Sequence, residues 1–334
     1  MEAFRCAVCG ALVFFDNSQC LTCGSSLGYL RRDRSVVTLT DTDTYRYCAN
    51  HEVARCNWLI DASSPDALCD SCSLTSVRPN DDDLDALVAF ADAETAKRRL
   101  ISQLDAIGLP IVSRTVDPDA GLTFELLSSR GRSVTTGHQG GVITLDLSES
   151  DDAHREFVRQ QLGEPYRTVL GHLRHEIGHY YWPTLIETSG MLDEFRDLFG
   201  DERASYEDAL SQHYGDAGPQ ADWAETHVSQ YATMHPWEDW AETFAHYLHI
   251  LGGLETADAF GLDVGEPARS AGAGAWASTT SVSIGPMIGR WLGVTFALNA
   301  MSRSIGQNDL YPFVLSPTAV SKLDVVHRAV GTAA

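Results

Sequence analysis

Basic residues are scarce in this sequence. Its 334 residues include 24 lysines and arginines against 46 aspartates and glutamates, so the formal net charge is −22. A surface of this charge repels phosphate backbones, which argues against nucleic-acid binding. The basic cluster at residues 31–34 is short, and a solvated turn is its simpler interpretation. We therefore expect a peptide or protein as the substrate or partner, rather than a nucleic acid.

Long apolar runs are also absent. The most apolar segment, residues 284–300, is interrupted by Arg290, and it falls short of the roughly 20 apolar residues that a membrane-spanning helix requires. We expect it to form a buried helix instead. The first residues lack the basic segment and apolar stretch that mark a secretory signal. The sequence therefore predicts a cytoplasmic protein without membrane contact.

No cysteine follows Cys72. The eight cysteines up to and including this residue fall into two sets. The first set has two Cys-x-x-Cys knuckles, each followed by glycine, which is typical of a zinc ribbon. The second set has one such knuckle and two more widely spaced thiols, and His51 is a competing ligand there. Disulfides are the alternative, but they need an oxidising compartment. We predict two structural zinc ions, held by Cys6, Cys9, Cys20 and Cys23, and by Cys48, Cys56, Cys69 and Cys72.

A His-Glu-x-x-His motif begins at His175 and ends at His179. On a helix, side chains four residues apart leave the same face, so both imidazoles can bind one zinc ion. Glu176 lies one step around the helix, where its carboxylate can hold a water molecule. A surface helix with two solvated histidines is the alternative, but the aromatic residues at 180–182 favour a buried helix. The motif therefore predicts a hydrolytic metal site.

A third ligand is required, because catalytic zinc usually has three protein ligands and one open position. After Pro236, Glu238 and Glu242 are four residues apart and share one face of a predicted helix. Two half-buried carboxylates on one face favour a positive partner, such as a zinc ion with its ligand histidine. A helix with a solvated acidic edge is the alternative.

The two motifs together resemble those of the gluzincin metallopeptidases, in which a second helix supplies a glutamate ligand. The resemblance in that second helix rests on Glu238-x-x-Ala241-x-x-Phe244-Ala245. It implies that Glu238 is the third zinc ligand and that Glu242 orients a ligand histidine. The best-known members have aspartate where this chain has Glu242, and the reversed assignment of the two carboxylates stays open.

A narrower resemblance covers most of the chain. Residues 166–182 and 235–242 resemble a bacterial family of zinc-binding metallopeptidases with an N-terminal zinc ribbon. It implies an α+β protein with one catalytic and two structural zinc ions. We expect a small double zinc-binding, zinc-ribbon-like module at residues 1–78. A mainly helical, zincin-like metallopeptidase domain with a small sheet then covers residues 79–334.

The expected mechanism is hydrolysis of a peptide bond. Glu176 is the predicted general base, which takes a proton from zinc-activated water and delivers it to the leaving amine. The tetrahedral oxyanion also needs a hydrogen-bond donor. Tyr231 and His235 are the first candidates because they directly precede the second ligand helix, and Tyr206 and Tyr214 are others. Ordinary packing is the alternative role for each of the four.

Two other functions stay open on the sequence. The first is a non-catalytic zinc-binding adaptor or sensor that engages a protein partner through the zinc ribbons. The presence of Glu176 argues against it, because only catalysis requires a carboxylate at that position. The second is a regulator that binds nucleic acid through the ribbons, and the acidic net charge argues against it.

Overall fold

The computed structural model describes residues 2–39, 44–130, 133–162, 164–215, 218, 220–266 and 283–333. The fold class is α+β, as predicted, with a mainly helical chain and small sheets. In the described part of the chain, no helix is both long enough and apolar enough to cross a membrane.

The chain divides into two compact units. The first comprises Met1–Ala106, Pro110–Leu162 and Thr168–Leu173, and the second comprises Ile107–Leu109, Gly163–Arg167 and Arg174–Ala334. The first unit therefore contains the cysteine-rich segment together with residues far beyond position 78. The domain boundary at residue 78 stays a prediction.

Three antiparallel hairpins build the cysteine-rich part of the first unit. They are β1 (Ala3–Arg5) with β2 (Leu12–Phe14), β3 (Leu27–Leu30) with β4 (Ser35–Thr38), and β5 (Tyr45–Tyr47) with β6 (Leu59–Asp61). Tyr29 is buried between Phe15 and Trp58, with ring centroids 4.7 and 5.1 Å away. A core this small contributes little stability, so strands this short need metal–thiolate bonds to hold them.

A four-stranded sheet with the order β7-β8-β10-β9 follows in the first unit. Its strands are β7 (Thr75–Val77), β8 (Thr123–Leu127), β9 (Gly137–Gln139) and β10 (Val142–Asp146). The strands β7, β8 and β10 are parallel, and β9 pairs antiparallel with β10 at the edge. Apolar residues alternate at residues 122–127 and 141–147, a pattern typical of strands, and these segments form β8 and β10.

Two helices accompany this sheet in the first unit. They are α1 (Leu84–Ala106) and α2 (Asp152–Leu162). The apolar side chains of Phe90, Leu100, Ile101 and Leu104 on α1 are fully buried. The sequence around α1 has an acidic start at residues 81–83 and a Gly-Leu-Pro stop at residues 108–110, which are typical boundary signals of a helix.

Helices form the second unit. They are α3 (Val169–Trp182), which belongs to this unit from Arg174 onward, α4 (Leu192–Phe199), α5 (Tyr206–Tyr214), α6 (Pro236–Ala259), α7 (Gly285–Ser304) and α8 (Pro317–Ala333). The long helix α6 packs against α4, α7 and α8. Its side chains Trp240, Phe244 and Leu248 are fully buried, so α6 is the central element of this unit.

Helix α3 lies close to α6 at Gly178. A Cβ atom at this position would lie 3.1 Å from the Cα atom of Ala241, so any larger side chain would push the helices apart. The indole Nε1 of Trp240 donates a hydrogen bond to the carbonyl oxygen of Gly178 at 2.8 Å. This contact fixes which faces of the two helices meet.

Candidate metal centre

The histidines of α3 lie side by side. His175 and His179 have ring centroids 4.9 Å apart, and their Nε2 atoms are 3.2 Å apart. Both side chains are buried, as the flanking aromatic residues predict. Since the residues are four apart on one helix, this pairing follows from local geometry alone.

Glu238 of α6 completes a three-residue cluster. Its Oε2 atom lies 2.9 Å from Nε2 of His175 and 3.5 Å from Nε2 of His179. One ligand atom from each of the three residues falls within 4.8 Å of the others. Two ligands of one tetrahedral zinc ion, each about 2.0–2.1 Å from the metal, are about 3.3 Å apart. The observed separations bracket that value, so this donor set fits zinc.

Glu242 contacts the other side of the His175 ring. Its Oε1 atom is 2.7 Å from Nδ1 of His175, and its Oε2 atom accepts a hydrogen bond from Oγ of Ser229 at 2.6 Å. Burial raises the pKa of Glu242, but the hydrogen bond to His175, the charges of His175 and His246 and the hydrogen bond from Ser229 together outweigh burial and lower it to about 2. The ionised carboxylate can only accept, so Nδ1 of His175 carries the hydrogen and Nε2 is the nitrogen that faces the metal site.

The two carboxylates also set the charge of the centre. Burial lowers the pKa of His175, but hydrogen bonds to Glu238 and Glu242 reverse this effect and raise the pKa well above its usual value. Burial by itself raises the pKa of Glu238, but its contacts with His175 and His179 outweigh burial and bring the pKa well below its usual value. The centre is therefore anionic at its carboxylates and well suited to a cation.

Glu176 is buried beside this cluster. Burial raises its pKa, and the neighbouring His175 and His179 partly oppose that shift. A carboxylate with a raised pKa is a better proton acceptor at neutral pH.

His235 caps the start of α6. Its Nδ1 atom accepts a hydrogen bond from the backbone N–H of Trp237 at 3.1 Å, and its Nε2 atom donates to the carbonyl oxygen of Ala204 at 3.1 Å. Both ring nitrogens are thus engaged with the backbone. This is the arrangement of a helix cap, and a catalytic role of His235 stays a prediction.

Two tyrosines also lie beside the cluster. The ring of Tyr231 lies 5.9 Å from the ring of His175, and the hydroxyl of Tyr206 donates a hydrogen bond to Oε1 of Glu238 at 3.0 Å. The contacts made by Tyr206 and Ser229 could not be predicted from the sequence. Both residues lie outside the motif helices, so no periodicity marks them.

A buried ion pair supports α6 next to the cluster. Lys322 of α8 donates hydrogen bonds to Oδ2 of Asp239 at 2.5 Å and to the carbonyl oxygen of Thr226 at 2.9 Å. Lys322 and Asp239 are both almost fully buried. Burial raises the pKa of Asp239 to about 7, although the Lys322 ammonium acts to lower it. This carboxylate therefore depends on Lys322 to remain charged inside the protein.

Lys322→Met is expected to lower the free energy of unfolding by about 3–5 kcal/mol, because it leaves a buried carboxylate without its partner. Urea unfolding followed by tryptophan fluorescence measures this change. The control is Arg303→Met, which breaks an ion pair with Asp309 whose arginine is 68% exposed, and it should cost less than about 1 kcal/mol. Equal losses of unfolding free energy in the two variants would contradict a stabilising ion pair between Lys322 and Asp239. Adding Asp239→Leu to Lys322→Met should recover part of the loss.

The cysteines form two four-thiol clusters in the first unit. In the first cluster, Gly10 and Gly24 take positive φ angles of 72° and 75° and donate their N–H groups to the carbonyl oxygens of Cys6 and Cys20. The Sγ atoms of Cys6 and Cys23 are 3.7 Å apart. Four thiolates about 2.3 Å from one tetrahedral zinc ion would be about 3.8 Å apart. A disulfide needs about 2.05 Å, so the spacing fits zinc and excludes a disulfide.

The second cluster contains all four predicted cysteines and excludes His51. All of its thiols are buried, and the Sγ atoms of Cys56 and Cys69 are 3.7 Å apart. Nδ1 of His51 instead lies 2.8 Å from the carbonyl oxygen of Cys56, and its ring stacks on Tyr47. This geometry supports the four-cysteine assignment.

Charged side chains from α1 surround the second cluster. The thiol of Cys72 is 3.7 Å from Oε2 of Glu94, and Lys97 donates to Oε1 of the same carboxylate at 2.6 Å. Arg98 donates to the carbonyl oxygens of Ala54 and Arg55 at 3.2 Å. Because these α1 side chains are almost fully buried, the second cysteine cluster and α1 share one polar core. The sequence showed only a charged helix at this point.

Comparisons with known proteins agree with this geometry. A family model described as "Putative zinc-binding metallo-peptidase" matches residues 86–329, and a model of a zinc-ribbon domain matches residues 3–83. Uncharacterized proteins of Mycobacterium tuberculosis and Mycobacterium bovis are 48% identical to this chain over 336 residues, covering 99% of it and 95% of each relative. No solved structure matches the chain. Since the first model covers well over half of the sequence, the protein belongs to the zinc-binding metallo-peptidase family of that description and carries an N-terminal zinc ribbon.

Proposed function

We propose that this protein is a zinc-dependent peptidase of the gluzincin type, with His175, His179 and Glu238 as the ligands of a catalytic zinc ion. The observation that carries the proposal is the spacing of 2.9, 3.2 and 3.5 Å between their donor atoms. Two of these buried donors lie on α3 and the third lies on α6. A single zinc ion accounts for donors from two helices that lie this close together.

The hydrolytic role rests on Glu176. A zinc ion bound in this position would act as a Lewis acid and lower the pKa of its bound water toward neutrality. Glu176 then accepts a proton from the attacking water and passes it to the nitrogen of the breaking C–N bond. Its burial excludes bulk water and favours this transfer. An adaptor that only binds zinc has no use for a buried carboxylate at this position.

Other groups have supporting roles in this proposal. Glu242, held by Ser229, keeps the ring of His175 in the tautomer that leaves Nε2 free. Tyr231 lies beside that ring and is the proposed hydrogen-bond donor to the oxyanion. The two cysteine clusters hold structural zinc. A protein partner for the ribbon and a cytoplasmic location stay predictions.

Removing the metal tests the proposal directly. The protein, incubated with a pool of peptides of mixed sequence, should cleave some of them, as read by mass spectrometry. Treatment with 1,10-phenanthroline should abolish cleavage, and added Zn²⁺ should restore it. Metal analysis of the treated protein serves as the control, because two zinc ions should remain in the cysteine clusters. Cleavage that survives loss of the third zinc ion would contradict the proposal, whereas three bound zinc ions without any cleavage would favour the adaptor.

A further inference from the structure

The two carboxylate oxygens of Glu238 have different surroundings. Oε2 faces Nε2 of both histidines, and Oε1 accepts the hydrogen bond of the Tyr206 hydroxyl at 3.0 Å. Glu238 is only 4% exposed. A buried carboxylate oxygen without a donor is costly, so Oε1 requires such a partner.

Tyr206 is held firmly enough to serve as this partner. It is the first residue of α5, whose start is capped by Ser205, with the N–H of Asp208 donating to the Ser205 hydroxyl. Its ring packs against His235 with centroids 5.4 Å apart. The phenol is therefore fixed between the caps of two helices.

The hydroxyl of Tyr206 also keeps its proton. A phenol ordinarily ionises only at about pH 10. It is a hydrogen-bond donor throughout the neutral pH range, and donation to a carboxylate is stronger than donation to a neutral acceptor.

We propose that Tyr206 is a positioning residue that orients Glu238, so that a single oxygen, Oε2, faces the metal site. The terminal torsion of a glutamate is broad, so it does not choose one oxygen by itself. Without Tyr206, both oxygens can turn toward the cation and take up the coordination position that catalytic water needs. This inference rests on the proposed function, because it assumes that Glu238 is a zinc ligand.

Tyr206→Phe tests this inference, with Tyr214→Phe on the same helix as the matched control. Tyr214 is 61% exposed, and its hydroxyl is not among the donors to Glu238 in the described structure. The third zinc ion is titrated against dipicolinate while the cysteine clusters remain loaded. Tyr206→Phe should weaken zinc binding at this site about 10- to 100-fold, and Tyr214→Phe should leave it unchanged.

Cobalt provides a readout that a purely structural role would not change. The third zinc ion is replaced with Co²⁺, and the visible absorption of the metal reports its coordination number. Relative to the unmodified protein, Tyr206→Phe should weaken these bands, as expected when both oxygens of Glu238 bind.

The outcomes separate the two proposals. Absence of a third zinc ion from the unmodified protein would overturn the proposed function whatever Tyr206 does. Normal zinc affinity and an unchanged cobalt spectrum in Tyr206→Phe would overturn the positioning role. If cleavage nevertheless fell in that variant, Tyr206 would contact the substrate instead.

Discussion

Glu176→Gln is expected to abolish peptide cleavage while leaving the third zinc ion in place. Glutamine has the same shape, but it cannot accept a proton at neutral pH. Loss of a general base costs about 10²- to 10⁴-fold in rate. The side chain is 8% exposed, so bulk water is poorly placed to replace it as a base. The measurements are kcat/KM on a peptide identified from the cleaved pool, and zinc per chain.

The control for this variant is Glu187→Gln, an exposed residue shortly after α3. It should retain full activity and full zinc content. Thermal unfolding of both variants should match that of the unmodified protein, because neither substitution leaves an unpaired charge in the core. If Glu176→Gln cleaved within twofold of the unmodified protein, Glu176 would not be the base and the mechanism would be wrong.

Glu238→Ala is expected to reduce the zinc content from about three ions per chain to about two, as measured by elemental analysis. The two remaining ions belong to the cysteine clusters, which lie in the other compact unit. Loss of one of three ligands removes a metal–oxygen bond and leaves two histidines, too few for a stable zinc site. Cleavage should be lost together with the metal.

Glu242→Ala is the matched comparison, because it removes the same group one helical turn away. It should retain three zinc ions at saturating metal, with affinity at the third site lowered about 10- to 100-fold through the loss of the hydrogen bond to His175. The opposite pattern, with zinc lost from Glu242→Ala and retained in Glu238→Ala, would reverse the roles of the two carboxylates. A zinc content of two in the unmodified protein would contradict the third site altogether.

Several features of the candidate centre follow from sequence spacing alone. His175 and His179 share a face because residues four apart on any α-helix do so. The two knuckles of the first cysteine cluster and their glycines are equally local, since a turn of this kind spans only a few residues. The fold class was also predictable, because the α1 stop signals and the alternation in β8 and β10 are short-range patterns.

Other groups at the centre were beyond sequence reasoning because they depend on contacts between distant segments. Tyr206 and Glu238 are in contact although they are 32 positions apart in the sequence, and Lys322 and Asp239 are 83 positions apart. A tyrosine at the start of one helix and a lysine in another carry no periodic signal for such contacts. From the sequence, Tyr206 was one candidate for the oxyanion donor, whereas in the structure its hydroxyl donates a hydrogen bond to the carboxylate of Glu238.

The sequence by itself predicted the donor types: two histidines, a glutamate and eight thiols at metal-binding spacings. The resemblance favoured Glu238 as the ligand, but the reversed assignment of Glu238 and Glu242 stayed open, because both lie on one face of α6 and differ by about one turn. Only the tertiary structure distinguished their surroundings. The close approach of α3 to α6 at Gly178 brings Glu238 to the Nε2 side of His175 and Glu242 to the Nδ1 side. The relative placement of two helices decides this difference, and no local pattern encodes it.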